Sequence, residues 1–402
     1  GATTAEVAAV VGAAALPWTL KLVNGFILDR YTFLPMGRRR AWIIGAQALI
    51  VLVLLTGAAL LPGPRDVFLL SAIGFATNMA ITLQDVGIDS LAVDIMPENE
   101  RAKASGIMFG AQMLGIAAAT AIGGALLEDA GFAIALTAAA LVPGSVLIYG
   151  ILIRERDGER RLPWSAGQSH PRNLAIQVEG WRPLLANGFR AVAMPLSLAL
   201  LPVLLLRAIP LGAGDSFHPV LTATIGGWSA SEYTQVVSIS QLSAGLLGMV
   251  VGGLIVDAVG ARPSSAILMA AYAVVLAAMA LLQPHWGDPL VLTAFLALTS
   301  FFFVFVPIAL IPLCMRLCAP AVAATQFTVY MAVANLGRPL GASLAALTAG
   351  IGEPVVMFGL LALAMAAGAA ILLWVRFPTG ADGPAERDEQ RGTAGGLVPV
   401  QD

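Results

Sequence analysis

Long apolar runs alternate along this chain with short polar or charged turns. A helix needs about 20 predominantly apolar residues to cross a bilayer core. Eleven segments meet that length: 5–28, 41–61, 67–96, 104–127, 132–153, 191–213, 232–256, 264–283, 290–315, 321–349 and 354–375. Turn chemistry punctuates them, as at Pro62-Gly63-Pro64-Arg65, Pro97-Glu98-Asn99-Glu100-Arg101 and Gly352-Glu353-Pro354. The pattern predicts an all-α, polytopic membrane protein.

Composition agrees. Apolar residues make up 58% of the chain and charged residues 11%, where a soluble domain carries about 25% charged residues. Mean hydropathy is +0.85. A net charge of −2 argues against a nucleic-acid partner. Cys314 and Cys318 stand one helical turn apart and read as packing residues. No zinc-ligand spacing, phosphate-binding loop, dinucleotide fingerprint or Gly-x-Ser-x-Gly turn is present in the sequence. His170, His218 and His285 are scattered and offer no metal or nucleophile constellation. The expectation is a protein without cofactor or metal, and not an enzyme.

Charge sets orientation. Arg30, Arg38, Arg39 and Arg40 share one loop; Arg101 and Lys103 follow the next inward span. Residues 154–190 hold Arg154, Arg156, Arg160, Arg161, Arg172, Arg182 and Arg190. Arg262, Arg316, Arg376, Arg387 and Arg391 fall on the same side, against Arg65 alone on the other. This bias predicts that the arginine-rich side, and the C-terminus, lie in the cytoplasm. Residue 1 then lies outside, directly before a span. A further helix ahead of this sequence restores twelve spans with both ends inside, so eleven of twelve is the expectation. The predicted organisation is a five-helix bundle over 1–153, a cytoplasmic linker over 154–190, a six-helix bundle over 191–376 and a disordered cytoplasmic tail over 377–402.

An internal repeat supports two related halves. The first span ends Gly25-Phe26-Ile27-Leu28-Asp29-Arg30, followed by Gly37-Arg38-Arg39-Arg40. The seventh ends Gly253-Leu254-Ile255-Val256-Asp257, followed by Gly260-Ala261-Arg262. The glycine lets a neighbouring helix come close, and the aspartate at the helix end can pair with arginine or with another helix's N-terminus. Such a contact can lock one conformation and break in another. Asp29, Arg30, Gly37, Arg38, Arg39, Asp257 and Arg262 are therefore gating candidates. Asp94 and Arg101 join them, Asp94 as a partner for Arg38 or Arg101.

These residues resemble the signature of the major facilitator superfamily. Within it, the stretch from Leu83-Gln84-Asp85 through Gly87-Ile88-Asp89-Ser90 to Asp94-Ile95-Met96-Pro97-Glu98-Asn99-Glu100-Arg101 is similar to the fourth-helix region of AmpG-like permeases. Ala324-Thr325-Gln326-Phe327-Thr328, leading to Asn335-Leu336-Gly337-Arg338, is similar to their eleventh helix. Leu20-Lys21 and Asp29-Arg30-Tyr31-Thr32 look like the family's second helix and the loop after it. The resemblance implies a carrier of a bacterial inner membrane that imports cell-wall muropeptides with protons, and a monomer is the expectation. Related branches carry siderophores or acetyl-CoA, and the motifs leave the cargo open.

Charge inside a bilayer is costly, about +2.5 to +3.5 kcal/mol for a central Asp, Lys or Arg on the mildest scale. Asn78, Thr82, Asp85 and Asp89 recur at helical spacing and draw one polar stripe on the third span. Asp85 and Asp89, one turn apart, are the proton-coupling candidates. The alternative is a static ion pair with Lys21, Arg207 or Arg338. Lys21 itself either reaches inward or snorkels toward the cytoplasm. Substrate-binding candidates are Lys21, Asn78, Thr82, Arg207, Gln241, Thr328, Asn335 and Arg338. The sequence Pro210, Gly212, Gly214 predicts a break in the sixth span, beyond which His218 reads as a solvated outer residue. The basic candidates suggest an anionic or zwitterionic small-molecule cargo, with protons and the lipid bilayer as the other partners. A drug-type exporter and a non-transporting receptor are the competing readings.

Overall fold

The computed structural model describes residues 4–63, 65–178, 180–351 and 354–377. Every long element among them is helical: α1 (Thr4–Arg30), α2 (Arg40–Leu60), α3 (Val67–Ile95), α4 (Glu98–Asp129), α5 (Phe132–Leu152), α6 (Pro171–Ala175), α7 (Trp181–Val192), α8 (Pro195–Thr224), α9 (Ala230–Leu247), α10 (Gly253–Val259), α11 (Ala261–Leu281), α12 (Pro289–Leu317), α13 (Ala323–Ile351) and α14 (Pro354–Trp374). One wide turn, Gly248–Gly252, joins α9 to α10 within a single span. Ten of these spans are long and apolar enough to cross a membrane. The remaining predicted span, 321–349, coincides with α13, whose interior carries Gln326, Asn335 and Arg338. The chain is a multi-pass membrane protein. The tail expected to be disordered, 377–402, lies outside the described residues from 378 onward.

Local chemistry fixes the helix starts. Asp66 accepts the Leu69 amide at 3.3 Å and opens α3. Ser229 and Glu232 exchange hydrogen bonds in a capping box that opens α9, at 2.7 Å and 3.2 Å. Asp288 accepts the Leu290 amide at 2.8 Å, with Pro289 behind it, and opens α12. Side-chain exposure follows the lipid environment. In α5 Ala140 is the buried position, while Leu141 and Val142 are about 70% exposed on the same helix. An apolar face of that kind is unfavourable in water and natural against lipid tails. In α12, by contrast, most side chains from Phe302 to Leu317 are buried, so this helix runs through the interior of its bundle.

The chain forms two compact units. One holds the described residues of 1–96, 115–190 and 320–332; the other holds those of 97–114, 191–319 and 333–402. In the first, α1 packs along α3, and α2 packs between α3 and α5. In the second, α11 packs against α14 and α12, and α8 against α14. An aromatic cluster of Phe217, Trp286 and Phe295 gathers around Phe358 in the second unit, at centroid distances of 5.5–5.9 Å.

The sixth span departs from expectation. α8 is unbroken from Pro195 to Thr224 and runs through Pro202, Pro210 and Pro219. Gly212 does not interrupt it. A Cβ on Gly212 would overlap the backbone of Arg338, one on Gly337 the carbonyl of Leu205, and one on Gly341 the carbonyl of Ile209. These glycines seat α8 against α13 backbone to backbone, the small-residue packing that membrane helices favour. His218 is consequently buried, its ring edge-on to Phe295 at 5.2 Å, and not a solvated outer residue.

Because the obstructing atoms are backbone, no rotamer change can make room. Gly341→Val is expected to destabilise the purified protein by at least about 1–3 kcal/mol, the usual cost of overpacking. Thermal unfolding in detergent checks this: a several-degree fall in Tm is expected. An unchanged Tm would show that the two helices separate without cost.

Candidate functional site

The end of α1 and the turn after it build a buried charge cluster in the first unit. Gly37 adopts φ +103°, a backbone conformation open to glycine, and delivers Arg38, Arg39 and Arg40 to the start of α2. Asp29 is fully enclosed. It accepts Arg39 Nη2 at 2.6 Å, Arg38 Nη2 at 3.3 Å, and the backbone amides of Ala324 and Thr325 at 3.4 and 2.7 Å. Those amides belong to the first turn of α13, whose N–H groups have no partner inside the helix. Asp94, at the end of α3, accepts Arg39 Nε at 2.9 Å and lies 3.5 Å from Arg38 Nη1. Arg38 also donates to the carbonyls of Pro320 and Ala321. Gly25 makes room for this contact: a Cβ there would lie 3.0 Å from Ala324 O, Thr325 Cα and Thr328 Oγ1.

Burial works against charge on both arginines. Around Arg39 the carboxylates of Asp94 and Asp29 outweigh it and hold the guanidinium above its ordinary range. Arg38 is lowered, by burial and by repulsion from Arg39.

Glu155 completes the cluster. Its carboxylate accepts the amides of Arg38, Arg39 and Arg40 at 2.8–2.9 Å, capping α2 from a distant segment. Arg40 turns away to donate to Gly150 O and Ile151 O at the end of α5, and to the carbonyls of Arg160 and Arg161. The segment read as a plain basic linker is thus tied to the arginine turn. Glu159 is buried in it, accepting the Arg156 amide and Asn173 Nδ2, each at 2.9 Å. Burial and the neighbouring Glu155 push its carboxyl up to about 7. The acids Glu155 and Glu159 were hidden in the sequence by the arginines that flank them.

The second copy of the motif lies in the second unit and is built differently. Gly260 adopts φ +94°. Gly253 sits against the backbone of Ala102 and Lys103 in α4. Asp257 lies 3.9 Å from Lys103 Nζ, both partly exposed. Arg262 donates to Leu372 O and Leu373 O at 2.7 and 2.6 Å, closing the end of α14 as Arg40 closes α5. Ala261 stands where the first copy has its buried arginines. Of the other gating candidates, Arg30 lies over the Tyr31 ring at 5.2 Å and not in the Asp29 cluster, and Arg101 lies in the first turns of α4 in the second unit.

A polar ladder joins α1 and α3 within the span. Trp18 Nε1 donates to Asn78 Oδ1 at 3.0 Å, and Asn24 Nδ2 donates to Thr82 Oγ1 at 3.0 Å. Between them Lys21 pairs with Asp85. Lys21 therefore points inward; its side chain is 8% exposed and that of Asp85 36%. Asp89 follows one turn on, half-buried. In the second unit Arg338 pairs with Asp215 at 2.7 Å, and both are about half exposed. Asn335 is exposed one turn before Arg338, and Gln241 is half-buried in α9. Two substrate candidates are enclosed instead, Thr82 in the ladder and Thr328 against Gly25, while Arg207 is half-buried and lines a small recess among α8, α11 and α12.

A family model described as Major Facilitator Superfamily matches residues 1–342. No curated protein matches the chain. Among solved structures, the human organic anion transporter MFSD10 (TETRAN) is 16% identical, with a TM-score of 0.64 over 90% of this chain and 82% of its own. A bacterial homologue of the iron transporter ferroportin, in an outward-facing state, is 13% identical, with a TM-score of 0.67 over 92% and 89%. The proton:xylose symporter XylE, bound to 6-bromo-6-deoxy-D-glucose, is 12% identical, with a TM-score of 0.67 over 95% and 88%. At these identities the likeness is one of fold.

The two motif copies should respond unequally to loss of their aspartates. Asp29→Ala strands two buried guanidiniums, and breaking a buried pair costs about 3–5 kcal/mol. Asp257→Ala removes a long, partly exposed pair, with an expected cost below about 1 kcal/mol. Thermal unfolding of both variants tests this; equal losses would contradict it.

Glu159 adds a pH dependence. Its folded value of about 7 lies above the ordinary 4.5, so the folded segment holds the proton more tightly than the unfolded one. Docking of the segment is strongest below the ordinary value. It weakens as pH rises through about 7, then levels. Hydrogen exchange over residues 155–173, corrected for intrinsic rates, is expected to be slower at low pH, and Glu159→Gln should remove the difference. A pH-independent wild type would contradict this.

Proposed function

We propose that this chain, which belongs to the Major Facilitator Superfamily and is a secondary transporter, is a proton-coupled importer of an anionic or zwitterionic solute. The observation that carries the reading is the Lys21–Asp85 pair, set within a span and open on its acidic side. A carboxylate that exchanges protons with solvent must be reachable, and it must be costly to leave charged without its partner. Asp85 meets both needs, and Asp89 beside it raises the cost of carrying two negative charges on one helix face. Proton arrival on Asp85 frees Lys21. Lys21 is then a buried cation without its counter-charge, a state that favours rearrangement or an anionic cargo in place of the carboxylate. Lys21 and Asn78 are the proposed cargo contacts of the first unit.

In the second unit the proposed contacts are Arg338, Asn335 and Gln241. The exposed Arg338–Asp215 pair offers one charge of each sign, which suits a zwitterion. The solved neighbours are described as carriers of organic anions, iron and xylose, so the fold does not select among cargoes. The likeness of the third span and of Ala324–Arg338 to AmpG-like permeases favours a muropeptide. We place the protein as a monomer in a bacterial inner membrane, following the AmpG-like resemblance, with the basic loops and the C-terminus in the cytoplasm on the strength of the arginine bias. The Asp29 cluster is the proposed cytoplasmic gate: it opens when the α13 amides leave Asp29, and alternating access follows from making and breaking that contact.

Uptake into proteoliposomes tests this reading. An anhydro-muropeptide, a siderophore and a cationic dye are offered with and without an inward proton gradient. Gradient-driven muropeptide uptake is expected, falling by at least about tenfold in Asp85→Asn, in line with loss of one charge-assisted interaction. Siderophore uptake instead would change the cargo and keep the mechanism. Wild-type gradient-driven uptake by Asp85→Asn would remove the proton role from this residue.

A further inference from the structure

Arg207 sits near the middle of α8, a membrane-spanning helix, and among the described residues no carboxylate pairs with it. Its Nε is buried and without a hydrogen-bond partner. A charged group at this depth normally faces a counter-charge or water. The recess it lines is the second unusual feature. Arg207, Tyr272, Thr299, Phe302, Phe303 and Pro307 surround about 30 Å³ of free space. Thr299 Oγ1 is also buried, with the Tyr272 hydroxyl within hydrogen-bonding reach. The Tyr272 ring is held by stacking on Phe302 at 4.8 Å.

The polar groups around this space are a guanidinium, a phenol and an alcohol. The guanidinium only donates, and the two hydroxyls can turn their protons inward. No acid is present to compete for them, and the remaining wall is aromatic or aliphatic. Such a lining attracts negative charge and rejects cations. The space is on the scale of a water-sized particle, which suits a monatomic anion better than a sugar, a peptide or a siderophore. The recess lies wholly within the second unit, on different side chains from the exposed Arg338–Asp215 pair.

We propose that this recess is a halide site, in which one chloride-sized anion is held by Arg207, Thr299 and Tyr272. The anion supplies the counter-charge that no described carboxylate does, and it occupies the orphaned Arg207 Nε while Thr299 and Tyr272 turn their hydroxyls toward it. Its binding joins α8, α11 and α12, so the second unit is more stable when the site is filled. The inference does not depend on which solute the protein carries.

The full chain, purified in detergent with gluconate as the anion, is titrated with sodium chloride or sodium bromide at constant ionic strength, and Tm is followed. Gluconate is too large to enter. Both halides are expected to raise Tm saturably. Arg207→Met should keep a folded protein, since an apolar side chain of similar length replaces a charge that has no partner, and should show no halide-dependent rise. Thr299→Val should shift the midpoint of the titration about tenfold or more, the value of a hydrogen bond to a charged group. Bromide anomalous scattering within hydrogen-bond distance of Arg207 would place the ion. A Tm equal in gluconate and chloride, or a halide response undiminished in Arg207→Met, would overturn the proposal and leave water as the occupant. A response to acetate but not to chloride would overturn it in favour of a carboxylate site.

Discussion

The carboxylate of Asp29 is the constraint on which the first unit turns. It has no solvent, so every lone pair must be met by protein. Two guanidiniums and the two backbone amides that open α13 meet them. None of these partners could occupy its place alone. Arg38 and Arg39 repel each other and are held in burial by Asp29 and Asp94, with Glu155 and the Pro320 and Ala321 carbonyls adding to the hold on Arg38. The three amides that begin α2 would be orphaned without Glu155. Glu155 and Arg40 together fix where residues 151–161 run, because Arg40 holds the carbonyls at both ends of that stretch. The start of α2, the ends of α1, α3 and α5 and the first turn of α13 are therefore one electrostatic object. A buried network of this kind is weak evidence for stability, but it is stringent in geometry, since any member out of place leaves a charge uncompensated.

Much of this was legible in the residues. Apolar runs gave the helix positions closely, with 41–61 against Arg40–Leu60 and 354–375 against Pro354–Trp374, because lipid imposes length and composition together. The repeat marked Asp29 and Asp257 as helix-end acids facing another helix, and the spacing of Asn78, Thr82, Asp85 and Asp89 placed them on one face. Proline and glycine misled at Pro210, Gly212 and Gly214. In water they punctuate. Here the missing Pro amide is tolerated, and the glycines are contact points for a second backbone that no local pattern reveals. The same closure buried His218. Glu155 and Glu159 were concealed because a carboxylate's role depends on which amides the fold brings to it. Arg207 looked like any cation in a span; that it stands without an acid is a fact of three helices, invisible in one.

The two halves of the repeat also show how one motif can carry different duties. Arg40 and Arg262 perform the same service, each closing the last turn of a helix distant in sequence. Gly37 and Gly260 make the same turn. What differs is the filling. The first copy has two buried arginines and Asp94. The second has Ala261 and a long pair between Asp257 and Lys103, on which solvent acts. The scaffold is thus repeated, while the strong electrostatics are confined to one side of the repeat.

Exposure separates the two charged systems that α1 carries. Asp29 has four donors and no exposed surface, so its place is fixed by all of its partners together. Asp85 has one strong partner, Lys21, and an open face. Loss of that one pair would leave the helices in contact through Trp18–Asn78 and Asn24–Thr82. The ladder between α1 and α3 is thus held by separable pairs and the Asp29 cluster by a closed network, and α1 carries both, about two turns of helix apart. A change in pairing at Lys21 therefore bears on the same rigid helix whose end presents Asp29 to α13.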